Sequence, residues 1–430
     1  MKSPRLLPRL LLALAAASAA RAQEGAAAPP PPKSWIDPDT GHRVIRLSDV
    51  PGSESFYFNF NAYTPDGTRM IYTTPDGIQV LDLRTFQSRP LVKEVKRAIV
   101  VGAKTPTIYF SKRIDDYHTS LWKADIDTGE VRKIADLPRR ATVYTINADE
   151  TLGAGDFIEG DANAGGAYDG TPQANRFQMG KNNIGEPANK SELMTQRFNA
   201  KLPMSVFTID LRTGKITYLL RHVTDWIDHE QFSPKDPTLL LYAHEGHWQL
   251  VDRMWTIRTD GTGNQLLHKR TMKMEIAGHE WWDLRGQIVW YQLHLPWHVA
   301  NASYVAGYNV VTHERTWYHY SADADSIHHN SSPDGTLFCG DGNRDNPWIV
   351  LCRPVPVPDE HTLGENLINS GYLQVERLVN MGRTALHGAQ NYRLEPNPSF
   401  TPDMKYVIFR SNIFGPDYPF AVEVAKAAQP

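Results

Sequence analysis

Residues 244–256 read HEGHWQLVDRMWT, and residues 278–282 read GHEWW. Imidazole, carboxylate, guanidinium and indole groups so close together could take up a metal, move protons or hold a carboxylated sugar. Twelve of the sixteen histidines lie between His222 and His329. A single strand histidine is usually a packing or surface residue, but a set this concentrated points to several imidazoles meeting in one polar cavity. Zincin chemistry is excluded, because His244 and His247 are three apart and do not share the helical face that H-E-x-x-H requires. No G-x-S-x-G nucleophile elbow and no glycine-rich phosphate loop after a strand occurs. If residues 244–248 are a strand, His244, Gly246 and Trp248 share one side while Glu245 and His247 share the other, and His244 is expected to face the cavity. Glu245, Glu280 and Asp252 keep a glycoside hydrolase open as an alternative.

The elements that must position these groups repeat along the chain. TPDGTRMIY (64–72), ADETLGAG (148–155), SPKDPTLLLY (from Ser233), SPDGTLFCG (332–340) and TPDMKYVIF (401–409) each set a polar turn before an apolar strand. A second signature, a strand ending in Asp before a short turn, follows in VLDLRTFQSRPLV, KADIDTGEVRKIA, TIDLRTGKITYLL and TIRTDGTGNQLL. With weaker copies at 104–110 and 283–291, the starts fall near 64, 104, 148, 233, 283, 332 and 401. Spacings of roughly 40 to 50 residues predict an all-β, seven-bladed β-propeller. The excess length at 158–203 and 354–390 is expected as loops or short helices standing off the blades. TolB-like propellers share such repeats and serve mostly as interaction platforms, so a non-catalytic glycan- or protein-binding propeller is the competing class.

The residues outside the repeat decide between these. HEG, LVD-RMW, GHEWW, IHHNSSPDG (327–335) and EPNPSFTPD (395–403), in that order, resemble the oligogalacturonate lyases. The likeness covers 205–425 well and the N-terminal blades more loosely, through DPDTGHRVIRL (37–47) and ESFYFNFNAYTPDG (54–67). The resemblance implies a seven-bladed propeller that cleaves short pectin fragments by β-elimination. It places the family's essential arginine on Arg253, its general base on His279 and a metal-binding histidine on His328. The residue types suit the reaction: elimination removes the proton beside a uronate carboxylate and builds up negative charge there. A guanidinium clamp and a divalent ion stabilise that charge, while a neutral imidazole takes the proton. Tyr57, His229, His244 and Arg393 are candidate substrate-binding residues, and Trp248, Trp255, Trp281, Trp282 and Trp297 could offer flat faces to sugar rings.

One departure bears on the metal. The family carries His-Pro-His where this chain has Glu395-Pro396-Asn397, and Gln390 is the nearby glutamine in reach of the register. Carboxylate and amide oxygen in place of imidazole shift preference toward harder ions, so His328, Glu395, Asn397 and Gln390 are the candidate set for Mn²⁺ or Ca²⁺. A different uronate glycan or linkage is therefore an open alternative substrate. No organic cofactor is called for.

The 430-residue chain carries a formal charge of −3, which argues against a nucleic-acid partner. Arg5 and Arg9 before an apolar run, with Ala20-Arg21-Ala22 after it, predict a signal peptide over 1–22 and export to the periplasm or beyond. An Ala/Pro-rich linker at 23–34 then leads into one domain over 35–430, with no membrane span. Cys339 and Cys352 could form one disulfide in that compartment.

Overall fold

The computed structural model describes residues 31–159, 190–297, 302–358, 367–382 and 394–427. The predicted leader and most of the predicted linker lie outside them, as do Gln390 and Arg393. From Lys33 onward the chain forms one compact unit. Its antiparallel sheets follow one another in chain order as seven blades of a propeller. Blade one holds Arg69–Thr74, Gly77–Asp82 and Ser88–Lys93, with isolated bridges at Tyr63 and Glu54 where its innermost strand would be. Blade two runs from Arg97–Val101 to Val131–Asp136, and blade three from Thr142–Ile146 and Leu152–Ile158 to Met204–Asp210 and Ile216–Val223. Blade four holds Ile227–Phe232, Leu239–His244, Met254–Arg258 and Gln265–Leu266, and blade five Ile276–Trp282, Ile288–His294, Ser303–Asn309 and Arg315–Tyr320. Blade six holds His329–Ser331, Phe338–Gly340, Trp348–Pro356 and Ile368–Asn380. Blade seven, Ser399–Phe400, Tyr406–Ser411 and Tyr418–Lys426, is completed by His42–Arg46 and Ser34–Ile36 from the N-terminal side, which closes the ring.

Local chemistry explains the repeat. The first turn of a blade joins its innermost strand to the next and is tied by its own aspartate: Thr64 donates to Asp66 at 2.6 Å, Ser332 to Asp334 at 2.7 Å and Thr401 to Asp403 at 2.7 Å. The second signature places an Asp carboxylate under the next backbone N–H groups, as Asp82 does for Thr85, Asp125 for Thr128 and Asp210 for Thr213. Each sheet is then buried on both faces. Met204 and Val206 pack with Leu240 and Tyr242 of blade four, while Phe207 and Ile209 pack with Ile99 and Tyr109 of blade two.

Two expectations are corrected here. Residues 368–380 do not stand off as a loop: they form the outer strand of blade six and also pair in parallel with Arg315–Tyr320 of blade five. Cys339 and Cys352 are both free, because Cys339 lies opposite Leu351 and Cys352 opposite Phe338. That one-residue offset sends the two thiols to opposite faces of the sheet, into different core clusters, and burial raises both thiol pKa values.

Candidate active site

The innermost strands of blades four and five share one distortion. Asp228 pairs with Ala243 and Gln231 with Leu241, so His229 and Glu230 face a single partner residue; His279 and Glu280 do the same in blade five. The first residue of each bulge is left-handed, φ 63° at His229 and 52° at His279. DHEQF and GHEWW are thus the true structural repeat, and HEGHW plays another part. The two blades are also tied directly, since Gln231 Nε2 donates to the Glu280 carbonyl at 3.0 Å and Trp282 Nε1 to the Gln231 carbonyl at 3.2 Å.

Arg253 precedes the third strand of blade four and is almost fully buried against blade five. Its Nε donates to Glu280 Oε2 at 2.9 Å and its Nη2 to Glu280 Oε1 at 3.3 Å, a bidentate pair, while Nη1 lies 3.9 Å from Glu245. Glu245 also meets Arg197 at 3.2 Å and His229 Nε2 at 3.5 Å. Burial alone would raise the Glu245 carboxyl, but the hydrogen bond and charge of His229, then Arg253 and Arg197, hold it well below the usual range. Burial pulls His229 down, yet the Glu245 hydrogen bond and the charges of Asp228 and Glu245 leave its pKa above the ordinary value. Arg197 comes from Lys190–Ala200, an α-helix in the blade-three excess, and its guanidinium sits 4.4 Å over the Trp226 ring.

His279 is held by a chain of hydrogen bonds that fixes its tautomer. Gln292 Nε2 donates to the Ser326 carbonyl at 2.5 Å and lies 3.1 Å from His329 Nδ1, which sets the amide so that Oε1 faces His279 Nδ1 at 2.7 Å. An amide oxygen can only accept, so His279 Nδ1 carries a proton, and in the neutral ring the lone pair is on Nε2. At the end of the chain, His329 Nε2 donates to the Ala324 carbonyl at 3.2 Å, and burial lowers this imidazole to about 4, so it stays neutral.

His328 stands beside His279, their ring centroids 4.8 Å apart. Its Nδ1 donates to Asp341 at 2.7 Å, and its Nε2 lies 3.2 Å from the Tyr57 hydroxyl. Burial above all, then the Glu395 charge, keeps the Tyr57 phenol protonated. The Tyr57 ring also lies 6.3 Å from that of His229, which closes a circuit through blades four, five and six. Blade seven adds Asn397, left-handed at φ 52°, whose backbone N–H reaches Asp341 at 3.4 Å and whose buried Oδ1 has no hydrogen-bond partner among the described residues.

The structure therefore brings Tyr57, His229, Arg253, His279, His328 and Asn397 together, with Glu395 close enough to act on Tyr57. It does not bring in His244. That ring packs at 5.5 Å from Tyr242 and 5.6 Å from Trp255, and its neighbour Glu245 takes the place expected of it. Trp281 and Trp282 are core residues, donating to Ser331 at 3.1 Å and to the Gln231 carbonyl. Trp248 and Trp297 form a half-buried edge-to-face pair at 5.7 Å. Sequence reasoning missed Gln292, Asp341 and Arg197; the His-Glu pairs at 229–230 and 279–280 were the one signal that could have exposed the bulges.

A metal fits the His328 side of this site. Asp341 orients the His328 ring with Nε2 outward, the arrangement a ligating histidine needs, and Asn397 Oδ1 is a buried acceptor left without a donor among the described residues. A glycosidase fits poorly. Glu280 is ion-paired to Arg253, and Glu245 and Asp252 are both held low by their cationic partners, so neither of these two is kept protonated as the acid that hydrolysis needs.

The fold and site define a β-propeller with a histidine- and arginine-centred pocket. Residues 192–428, more than half of the chain, match the sequence model of the family described as oligogalacturonate lyase. The oligogalacturonate lyase of Dickeya dadantii (strain 3937) is 26% identical over 399 residues, covering 88% of this chain and 92% of the relative. The oligogalacturonide lyase of Pectobacterium atrosepticum is also 26% identical, over 398 residues and the same shares. Among solved structures, an oligogalacturonate lyase in complex with manganese superposes with a TM-score of 0.70 at 22% identity, covering 91% of this chain and 96% of that one. The oligogalacturonate lyase of Vibrio parahaemolyticus gives 0.70 at 21% identity, with 92% and 97% covered. The chain belongs to the oligogalacturonate lyase family.

Proposed function

We propose that this chain is an exported lyase that cleaves oligogalacturonate, or a closely related uronate oligosaccharide, by β-elimination. The observation that carries the reading is the locked His279 ring, whose Nε2 lone pair stands beside His328 and within the circuit of Arg253 and Tyr57. His279 Nε2 takes the proton next to the uronate carboxylate. The electron pair left behind forms the new carbon–carbon double bond and expels the glycosidic oxygen on the adjacent carbon, which leaves with a proton. Two groups can return that proton: the imidazolium that His279 has become, and the protonated Tyr57 phenol.

Charge balance decides how the substrate carboxylate is held. Arg253 and Arg197 face Glu245 and Glu280, so two positive charges are matched before Asp341 and Glu395 are counted. The bidentate edge of Arg253 is already occupied by Glu280, which makes this arginine a fixed positive charge beside the reacting carbon rather than a free clamp. His229, with its raised pKa, offers a further cation. His328 Nε2, Asn397 Oδ1 and Glu395 would hold a divalent ion, manganese being the ion named for the similar solved structure. Such an ion would neutralise the carboxylate and acidify the neighbouring proton.

The test is ultraviolet absorbance from the unsaturated uronate, followed on oligogalacturonate and on a panel of other uronate oligosaccharides with Ca²⁺ or Mn²⁺ present. A signal that is lost in His279→Ala supports the reading. Binding of a sugar without that signal across the panel overturns it in favour of a non-catalytic propeller.

A further inference from the structure

The bulges of blades four and five are built alike, but their glutamates meet opposite fates. Glu280 is matched by Arg253. Glu230, its counterpart, is fully buried, and among the described residues its carboxylate has no hydrogen-bond partner beyond its own backbone and the neighbouring Asp156 carboxyl. It faces Asp156, from the second strand of blade three, and Asp228, from its own strand, with one oxygen of each of the three within 4.8 Å of the others. Asp156 Oδ2 is likewise buried, with no partner outside the cluster among the described residues, while Asp228 accepts the His229 N–H at 2.9 Å. Arg97, whose charge bears on Asp156, stacks at 4.3 Å on Tyr144, and among the described residues no arginine or lysine ion-pairs with any of the three. Where blade five supplies a guanidinium, blades three and four supply only further carboxylate. Burial and mutual repulsion push Asp156 and Glu230 up, against the weaker pull of Arg97 on Asp156 and of His229 on Glu230.

We infer that Asp156, Asp228 and Glu230 form a binding site for a divalent cation, Ca²⁺, at the junction of blades three and four. An all-oxygen, carboxylate-rich set is what a hard cation selects, whereas the His328 side offers an imidazole nitrogen. Asp228 is only half-buried and gives the ion its way in. The ion would do for Glu230 what Arg253 does for Glu280. It would also fix the Asp228 carboxylate that holds the backbone of His229, tying the blade junction to the pocket. The inference stands apart from the lyase reading, since it rests on residues that take no part in the proposed elimination.

Calcium binding to the metal-stripped full chain, measured by equilibrium dialysis and by the shift in Tm, tests it. The wild-type chain and His328→Ala are expected to take up calcium at this site and to melt higher with it, whereas Glu230→Gln and Asp156→Asn each lose one bound equivalent and the Tm shift. Glu230→Gln keeps the side-chain shape and removes a buried charge, so it is expected to remain folded without calcium, as circular dichroism checks. If the stripped wild-type chain binds no calcium at millimolar concentration, or if both variants bind as much as wild type, protons and not a cation neutralise the cluster and the proposal fails.

Discussion

His229 and His279 occupy the same place in successive blades: each is the left-handed first residue of a bulge in the innermost strand, and each is followed by a buried glutamate. Their surroundings divide their work. His229 bears on the Glu245 carboxylate and is biased toward imidazolium, whereas His279 is tied to an amide oxygen and keeps a lone pair on Nε2. One supplies positive charge and the other a base.

That division predicts what two substitutions do. His279→Ala is expected to lower kcat by about a hundred- to ten-thousandfold, the range for loss of a general base. Gln292→Leu keeps the base but frees its ring and tautomer, so kcat should fall with KM nearly unchanged and the acid limb of the pH–rate profile should move. Steady-state kinetics of both variants check this; a Gln292→Leu enzyme with wild-type kcat and pH profile would make Gln292 a packing residue only.

Arg253 links catalysis to stability. Truncation to Ala leaves the Glu280 and Glu245 carboxylates in a buried setting without their shared guanidinium, at a cost of roughly 3–5 kcal/mol. Pairing Arg253→Ala with Glu280→Gln should recover part of that stability in urea denaturation while activity stays lost. Full recovery of activity in the double variant would show that Arg253 serves the fold alone.

Much of the ring was legible because its signals are local. Asp66, Asp334 and Asp403 close the turns in which they sit, and Asp82, Asp125 and Asp210 do the same at the far end of a strand. In the pocket, Arg253, His279 and His328 are singled out by the resemblance of their motifs to the lyase family, since their types alone do not separate them from the other histidines and arginines. Strand alternation rightly set His244 and Glu245 on opposite sides, but nothing in the residues said which side faces the channel. Gln292 reads as an ordinary strand residue until its three partners are seen. Arg197 lies in an insertion with no counterpart in other blades, so no periodicity could place it.

The thiols give a simple check on the sheet register of blade six. Since Cys339 and Cys352 point to opposite faces, reductant should leave Tm unchanged, and both thiols should react with a maleimide only once the chain is unfolded. A reductant-dependent Tm would require a different register in blade six.

Removal of divalent ions should cut uronate cleavage, and Mn²⁺ or Ca²⁺ should restore it. His328→Ala should lose most of that response, because the imidazole oriented by Asp341 is the one nitrogen donor in the proposed set. Asn397→Ala should weaken the concentration dependence on added metal by removing the buried amide oxygen. Cleavage at the wild-type rate after exhaustive chelation would leave His229 and Arg253 as the cations of the site.

Glu245 makes the acid stability of the pocket predictable. Its carboxyl is held well below the usual range in the folded chain by His229, Arg253 and Arg197, so the contribution of these contacts is fully present above the unfolded value of about 4.3 and fades as pH falls through the lower folded value. Glu245→Gln imposes at neutral pH the uncharged state that acid imposes on the wild type. His229 stays protonated through this acid window because its own pKa is raised, so it does not change sign there. The stability gap between wild type and Glu245→Gln is therefore expected to be widest near neutrality and to close on acidification below the ordinary carboxylate range. Urea midpoints of the two proteins across that range check it, and a gap that does not change with pH would mean that Glu245 stabilises the pocket by its shape and hydrogen bonds, with its charge contributing nothing.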